Sequence, residues 1–464
     1  MISLVAVCGR AAYDRIWPKR QSAPQWILNL IPAYSETEEE IFSCLESMVN
    51  NKTEPHKQVF CIILDGQPRD MTRYLTRTIT TFDCPHVSFK GKPNTLDVVA
   101  GFYGKAPVLI VQKRKNMGKK DSLILCFDLF NYARASLPKC TQLIKDRLYD
   151  SVLPELTHQP DFEGFDMIFC TDADSALNEG AIKKLADAIS HAPNAIASCG
   201  IVLVKNRQYT FWKIFQHYQY AFGQIVRRRA ESFWGRVTCL PGCVTMIAVR
   251  PECGPAIEHY ARPVECIPVL RHQVQYLGTD RRLTYCLLKQ GTHLKTIFVQ
   301  DAVSETAPPE SLKHYLSQRR RWGSNAYFNN YFYLFGPNMA LWTRYVALVE
   351  LLRMTLVYYR VANTGMLIYN IVLEVKAGTF SALALAALLV VSQFPTVMFA
   401  GSVTISKHLR PHLLQFFLGF FANKCAAFPL SLAVFTNVAM NLGSHSWGMT
   451  GLTPKVARPA DSPV

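Results

Sequence analysis

Acidic residues stand just beyond apolar runs in this chain. "CIILDG" ends on Asp65, and "MIFCTDADS" carries Asp172 and Asp174 as a D-x-D pair. Alternate residues of a strand project to the same side, so a D-x-D leaving a buried strand offers two carboxylates that can share a divalent cation with a diphosphate. Aspartates in such places also cap helices and make turns. Between the two sites, "QKRKNMGKKDS" sets Lys113, Arg114, Lys115, Lys119 and Lys120 around Gly118. The glycine permits a close turn, and Lys119 directly after it can meet phosphate oxygens as a point charge. A solvated basic loop is the competing description.

Three later stretches add reactive or binding groups. "CLPGC" presents Cys239, Pro241, Gly242 and Cys243 in a turn that is either structural or the border of an acceptor pocket; its two thiols are half a metal site with no second half. "GTDRR" puts Asp280 at an apparent helix start, where Thr279 or Asp280 caps the helix, or where Asp280 takes a proton from an attacking hydroxyl. In "SQRRRWGSN", Gln318, Arg321 and Trp322 stand at i, i+3 and i+4 and share a helical face. A guanidinium fork suits a diphosphate, and an indole offers a flat surface to a sugar ring. A juxtamembrane basic cluster drawn to anionic lipid explains Arg319 and Arg320 equally well, but gives no reason for Gln318.

These groups need a scaffold. Short β-rich runs at 26–34, 59–65, 107–113, 166–172 and 195–204 alternate with helical stretches such as "SETEEEIFSCLESMV" and "KKDSLILCFDLFNYA". The pattern predicts an α/β domain with a parallel sheet covered on both faces. Ligands of such sheets bind beyond the carboxyl ends of the strands, where Asp65, Asp172 and Asp174 fall.

The 464 residues carry 50 Lys and Arg against 34 Asp and Glu, a net charge of +16. Basic charge combined with a slightly positive mean hydropathy points to a membrane protein that meets anions on its soluble side. Residues 377–406 contain no charged side chain, and a span needs only about 20 apolar residues. A second span is predicted at 412–440, interrupted by Lys424 and Pro429, and 345–373 reads as an interfacial stretch followed by a span. The fourteen cysteines are scattered and read as reduced, buried thiols. The first 20 residues lack the basic start and long apolar run of a secretory signal.

In order, "LDG", "TDADS", "AESFWGRVTCLPGC", "GTDRR", "QRRRW" and "SWGMT" resemble the family 2 processive glycosyltransferases, and within them the chitin synthases, from about residue 26 to the end. The resemblance implies a cytosolic, Rossmann-like glycosyltransferase A domain over 26–340. It further implies interfacial and transmembrane helices over 341–440 forming a translocation channel, a C-terminal segment over 441–464 with the SWG motif, and a segment over 1–25 that lies on the membrane surface. The implied activity is inverting, processive transfer of N-acetylglucosamine from UDP-GlcNAc into β-1,4-linked chitin, extruded across the plasma membrane, with Mg2+ or Mn2+. By the same resemblance, Tyr34, Glu36 and Asp65 hold the uridine. Asp172 and Asp174 meet the diphosphate and metal, and Asp280 is the base. Gln318 and Arg321 serve the donor, while Trp322, Cys239, Pro241 and Gly242 serve the acceptor; Lys119 is assigned to the donor from its place after Gly118 alone. The implied partners are UDP-GlcNAc, the growing glycan chain and membrane lipid, with self-association into a homo-oligomer left open. The chain departs from the family pattern at Thr279, where a glutamate is usual, and at Met449–Thr450, where the usual C-terminal arginine is missing.

Other classes fit less well. A synthase of another β-linked polymer, such as hyaluronan, shares most of these motifs. A transporter or channel predicts intramembrane charges lining a path, which the clearest span lacks. Nucleic-acid binding is disfavoured because the basic residues are scattered among strand-end loops and no recognised module accompanies them.

Overall fold

The computed structural model describes residues 22–66, 69–70, 72, 75–205, 209–264, 274–276, 278–379 and 381–442. The SWG motif, and all but the last few residues of the expected 1–25 segment, lie outside them.

The chain builds a ten-stranded sheet. Its strands are β1 (Trp26–Ala33), β2 (Lys57–Asp65), β3 (Arg77–Val87), β4 (Pro93–Tyr103), β5 (Ala106–Lys113), β6 (Met167–Cys170), β7 (Ala176–Leu177), β8 (Ala195–Val204), β9 (Thr245–Ala248) and β10 (Lys295–Thr306), in the order 3-4-5-2-1-6-9-8-10-7. The expectation of a parallel sheet is corrected to a mixed one. Strands β5, β2, β1 and β6 run parallel, as do β8 and β10, but β3–β4–β5 is an antiparallel meander and β9 runs antiparallel to both β6 and β8. The physical reason is visible in burial. The parallel centre is covered on both faces and reads as unbroken apolar runs; every residue of β8 is buried. Strand β4 alternates buried and half-buried residues, the signature of an edge hairpin.

Helices close both faces. α1 (Glu38–Val49) starts in a capping box in which Thr37 and Glu40 exchange hydrogen bonds with each other's backbone. α2 (Lys119–Phe130) is buried along nearly its whole length, α3 (Lys139–Arg147) follows it, and α4 (Ala181–Ser190) covers β8. Then come α5 (Phe211–Gly223), α6 (Cys253–Ala261) and α7 (Thr279–Leu288). Helix α8 (Leu312–Phe335) begins at Ser311, whose side chain accepts the His314 N–H, rather than at the preceding proline pair.

Four further helices complete the chain: α9 (Leu341–Thr355), α10 (Val357–Lys376), α11 (Ala382–Ile405) and α12 (Leu413–Met440). Two stretches, Leu385–Ile405 and Arg410–Met440, are long and apolar enough to cross a membrane. Pro429 lies inside α12 without breaking it, and the Lys424 ammonium donates to Gln393 on α11 at 3.1 Å. The stretch at 345–373, expected as an interfacial stretch followed by a span, is two helices, α9 and α10, that meet at Leu356. Glu350 on α9 pairs with Arg227 of the sheet domain at 3.0 Å, so α9 docks on that domain. Helix α12 lies against α5, and Gly419 makes that approach: a Cβ there would stand 2.5 Å from the Tyr218 Cβ.

One ion network anchors the sheet end. Lys113 is fully buried between Asp65 at 2.9 Å and Asp121 at 3.2 Å. Lys113→Met should destabilise the protein by about 3–5 kcal/mol, because it strands buried carboxylates without a counter-charge. Thermal unfolding of the purified chain checks this, and a melting temperature equal to wild type would contradict it.

Candidate active site

The strand ends that were expected to carry chemistry do converge. Both oxygens of Asp65 are engaged: Oδ1 accepts the Met117 N–H at 2.9 Å and Oδ2 the Gly118 N–H at 2.6 Å, with Lys113 alongside. The loop 114–118 therefore folds back over the end of β2 and delivers Lys119 as the first residue of α2. The solvated-loop description suits Arg114 and Lys115, which are exposed, and is corrected for Lys113 and Lys120, which are buried.

Lys119 is the hinge of the cleft. Its ammonium forms an ion pair with Asp172, just after β6. Burial alone pulls its pKa down, but the charges of Asp172 and Asp280 outweigh that and hold it above the ordinary lysine range. Asp280 sits in the first turn of α7, behind a cap that falls on Gly278, so it does not serve as the N-cap. Its Oδ2 accepts the Gly242 N–H at 3.1 Å and its Oδ1 the Thr279 hydroxyl at 3.0 Å. A Cβ on residue 242 would lie 3.0 Å from both Asp280 oxygens and 3.1 Å from the Lys119 Nζ. A larger residue here would push Asp280 or Lys119 aside by a few tenths of an ångström.

The "CLPGC" turn is fixed from several sides. Leu240 N–H donates to Thr284 on α7 at 3.1 Å, the Thr245 hydroxyl to the Pro241 carbonyl at 2.7 Å, and the Thr171 hydroxyl to the Cys243 carbonyl at 3.2 Å. Upstream, buried Glu231 accepts both the N–H and the hydroxyl of Thr238, while the Tyr333 hydroxyl on α8 donates to the Thr238 carbonyl. Cys239 and Cys243 are free thiols, and burial pushes the Cys243 pKa well up, which suits a packing role.

Helix α8 divides its motif. Gln318 accepts a hydrogen bond from the Tyr220 hydroxyl at 3.3 Å, and the Trp322 ring stands 5.7 Å from the Tyr220 ring. Arg319, set aside on sequence grounds, joins them: its guanidinium lies 4.5 Å from the Trp322 ring and donates to Gln219 at 2.8 Å. Arg320 is buried and is no lipid contact. Burial and the Arg320 charge lower the Arg321 pKa, and the Asp280 charge opposes them. Trp322 remains 44% exposed, leaving ring surface open. The sequence reading missed Tyr220, Gln219 and Arg319. For Tyr220 the signal was the stripe Gln216, Tyr220, Gln224 at i, i+4, i+8; for Gln219 and Arg319 nothing local marked them.

At the end of β1, Glu36 accepts the Tyr34 N–H at 2.7 Å, and Arg69 donates to the carbonyls of both residues. Asp174 stands on the open side of the cleft. Removal of water on its inner side raises its pKa from 3.8 to about 6, helped by the Asp172 and Glu36 charges. That crowding of carboxylates is a fit for a hard divalent cation, with Asp172 and Asp174 as oxygen donors. Among the described residues no group of three His, Cys, Asp or Glu forms a metal site by itself.

A family model described as chitin synthase matches residues 98–452, most of the chain and all of these motifs except the first strand ends. The chain belongs to the chitin synthase family. It is 26% identical over 346 residues to "Chitin synthase 5" of Cryptococcus neoformans var. grubii, covering 67% of this chain and 18% of that one. It is 27% identical over 358 residues to "Chitin synthase 5" of Verticillium dahliae, covering 67% and 19%. The chain thus spans about a fifth of the length of these chitin synthases. Among solved structures, the mannosyltransferase PcManGT of Pyrobaculum calidifontis, in complex with GDP-Man and Mn2+, superposes with a TM-score of 0.42 at 12% identity over 95% of this chain and 99% of that one. That likeness is too distant to carry function.

Asp174 gives this chitin synthase family member a measurable pH signature. Its folded pKa lies above its ordinary value, so the folded state binds the proton more tightly and loses stability as pH rises through about 6. In metal-free buffer, Asp174→Asn should melt above wild type at about pH 7.5 and level with it at about pH 4. A variant that melts lower at the higher pH would contradict the crowding.

Proposed function

We propose that the chain is the catalytic and membrane part of a processive, inverting glycosyltransferase that polymerises N-acetylglucosamine from UDP-GlcNAc into β-1,4-linked chitin and passes it across the membrane. The observation that carries this reading is the cluster of Asp172, Lys119, Asp280 and Gly242 at the carboxyl ends of the sheet, in a member of the chitin synthase family.

The acceptor hydroxyl is a weak nucleophile, so a base must take its proton as it attacks. Asp280 is the carboxylate for this role: Gly242 and Thr279 hold it in place with hydrogen bonds. A single displacement at the anomeric carbon then needs one base and no covalent intermediate, and it inverts the configuration. Lys119 and Arg321 lie where cationic groups can meet the negative charge that builds on the departing diphosphate. Mg2+ or Mn2+, when bound by Asp172 and Asp174, would neutralise part of that charge. Tyr34 and Glu36, close to Asp174, border the uridine site; Asp65 acts through the loop it anchors.

The open face of Trp322, braced by Arg319 and Tyr220, offers the acceptor sugar a stacking surface. Cys239, Pro241 and Gly242 form the opposite border. Residues 26–340 make the catalytic unit on the cytosolic side. Helices within 341–440 make the passage for polymer, and exposed apolar residues such as Val390, Val391 and Val397 on α11 face lipid.

Membranes carrying the full chain, given UDP-GlcNAc as sole donor with Mg2+ or Mn2+, should make a chitinase-sensitive polymer. A requirement for a second sugar nucleotide would favour a hyaluronan-type synthase and overturn the chitin assignment. Trp322→Ala should raise the KM for an oligosaccharide acceptor and leave UDP affinity near wild type. Steady-state kinetics with a varied acceptor read this directly, and an unaltered acceptor KM would contradict the stacking role.

A further inference from the structure

Lys120 follows Lys119 in sequence but faces away from the cleft. It is 5% exposed, and its ammonium is enclosed by three rings, 4.9 Å from Phe89, 4.7 Å from Tyr260 and 5.2 Å from Tyr276. Each distance lies within the roughly 6 Å over which a ring face attracts a cation. Among the described residues its ammonium donates to the Gln275 carbonyl at 3.2 Å. Among the described residues no carboxylate is paired with it. Burial, with Arg282 and Lys90 adding to it, depresses the Lys120 pKa well below the usual lysine range, so the rings and one carbonyl must sustain whatever charge it keeps.

What this cage holds together matters more than the cage itself. Phe89 lies on the turn between β3 and β4, Tyr260 on α6, and Gln275 and Tyr276 on the approach to α7. Gln275 continues the connection. Its amide donates to the carbonyls of Tyr260 and Arg262, both at 2.7 Å, and its oxygen accepts Arg282 Nε at 3.3 Å. Arg282 is two residues beyond Asp280 on the same helix. The next residue of α2, Asp121, accepts the Phe89 N–H at 3.0 Å, so the first turn of α2 is tied to this hub twice.

We propose that Lys120 is a positioning residue for Asp280: its caged ammonium fastens the first turn of α2 to the Gln275 backbone and so sets where the helix bearing Asp280 begins. One turn of α2 then presents Lys119 to Asp172 and Asp280 on one side, while Lys120 fixes the base-bearing helix from the other. The spacing between the Lys119 ammonium and the Asp280 carboxylate is set by two consecutive lysines. The inference rests on the reading of Asp280 as the base, and adds a residue that touches neither donor nor acceptor.

The test compares Lys120→Met, which keeps length and removes charge, with Lys120→Arg, which keeps a cation able to stack on the rings. Both are made in the full chain in membranes or detergent. Hydrogen exchange over peptides within 274–288 should quicken in Lys120→Met and return toward wild type in Lys120→Arg. With UDP-GlcNAc, kcat of Lys120→Met should fall on the order of 10- to 100-fold, as expected of a displaced base, while the donor KM stays within about two-fold. Lys120→Arg should recover most of kcat. Wild-type exchange and kcat in Lys120→Met would overturn the proposal, as would an arginine variant as impaired as the methionine one. If Lys120→Met does not fold, Tyr276→Leu removes one wall of the cage from a half-buried position and should give the same pattern at smaller amplitude; unchanged exchange there would overturn it too. If the wild-type chain transfers nothing from UDP-GlcNAc, the functional reading fails, and the exchange arm still decides the tether.

Discussion

The rest of the site depends on one ammonium placed between carboxylates. Asp172, Asp174, Glu36 and Asp280 crowd one end of the sheet, and Lys119 is paired with Asp172 while feeling Asp280 as well. Like charges at short range in a partly dehydrated cleft repel strongly, so the arrangement holds only because a cation is built into it. Much of the surrounding structure serves to put that cation there. Asp65 accepts backbone N–H groups from the loop before α2, Lys113 holds Asp65 and Asp121 together, and the Gly118 turn launches the helix with Lys119 first. The basic stretch at 113–120 is thus two layers: buried lysines that shape the support, and one lysine turned into the cleft.

The second constraint is the close approach of the "CLPGC" turn. Gly242 brings a backbone N–H to Asp280, and a Cβ at this position would crowd both Asp280 oxygens. The turn is held by α7 through Thr284, by α8 through Tyr333 and by the sheet through Thr171. Asp280, the "CLPGC" turn and the "QRRRW" helix are therefore mechanically linked. Helix α8 carries Arg319 with Trp322 toward Tyr220, while α5, which supplies Tyr220, packs along the apolar helix α12. A movement of the apolar helices would be felt at Trp322 through α5.

The sequence made the strand-end logic legible. Asp65, Asp172 and Asp174 follow unbroken apolar runs, a pattern that survives because the central strands are buried on both faces. It hid the edges. The meander β3–β4 and the long strand β10 alternate in burial, and β9 has four residues, too few for a periodic signal. It also hid the division of labour among adjacent basic residues. Nothing local distinguishes Lys119 from Lys120 or Arg319 from Arg320, because their environments come from distant segments: Asp172 and Asp280 for Lys119, Phe89 and Tyr260 for Lys120, Gln219 and Tyr315 for Arg319. The helical-face argument grouped Gln318, Arg321 and Trp322; Gln318 and Trp322 do meet at Tyr220, but the arginine that packs on the Trp322 ring is Arg319, three residues before it.

The central claim is that the carboxylate beside Lys119 and Gly242 takes the acceptor proton, while the donor is held by other groups. The direct measurement is donor binding and polymer formation, side by side, in the Asp280→Asn chain. The account predicts UDP affinity close to wild type together with loss of polymer by about 10²–10⁴-fold, the range supplied by a positioned general base. Polymer formation at the wild-type rate in that variant would contradict it.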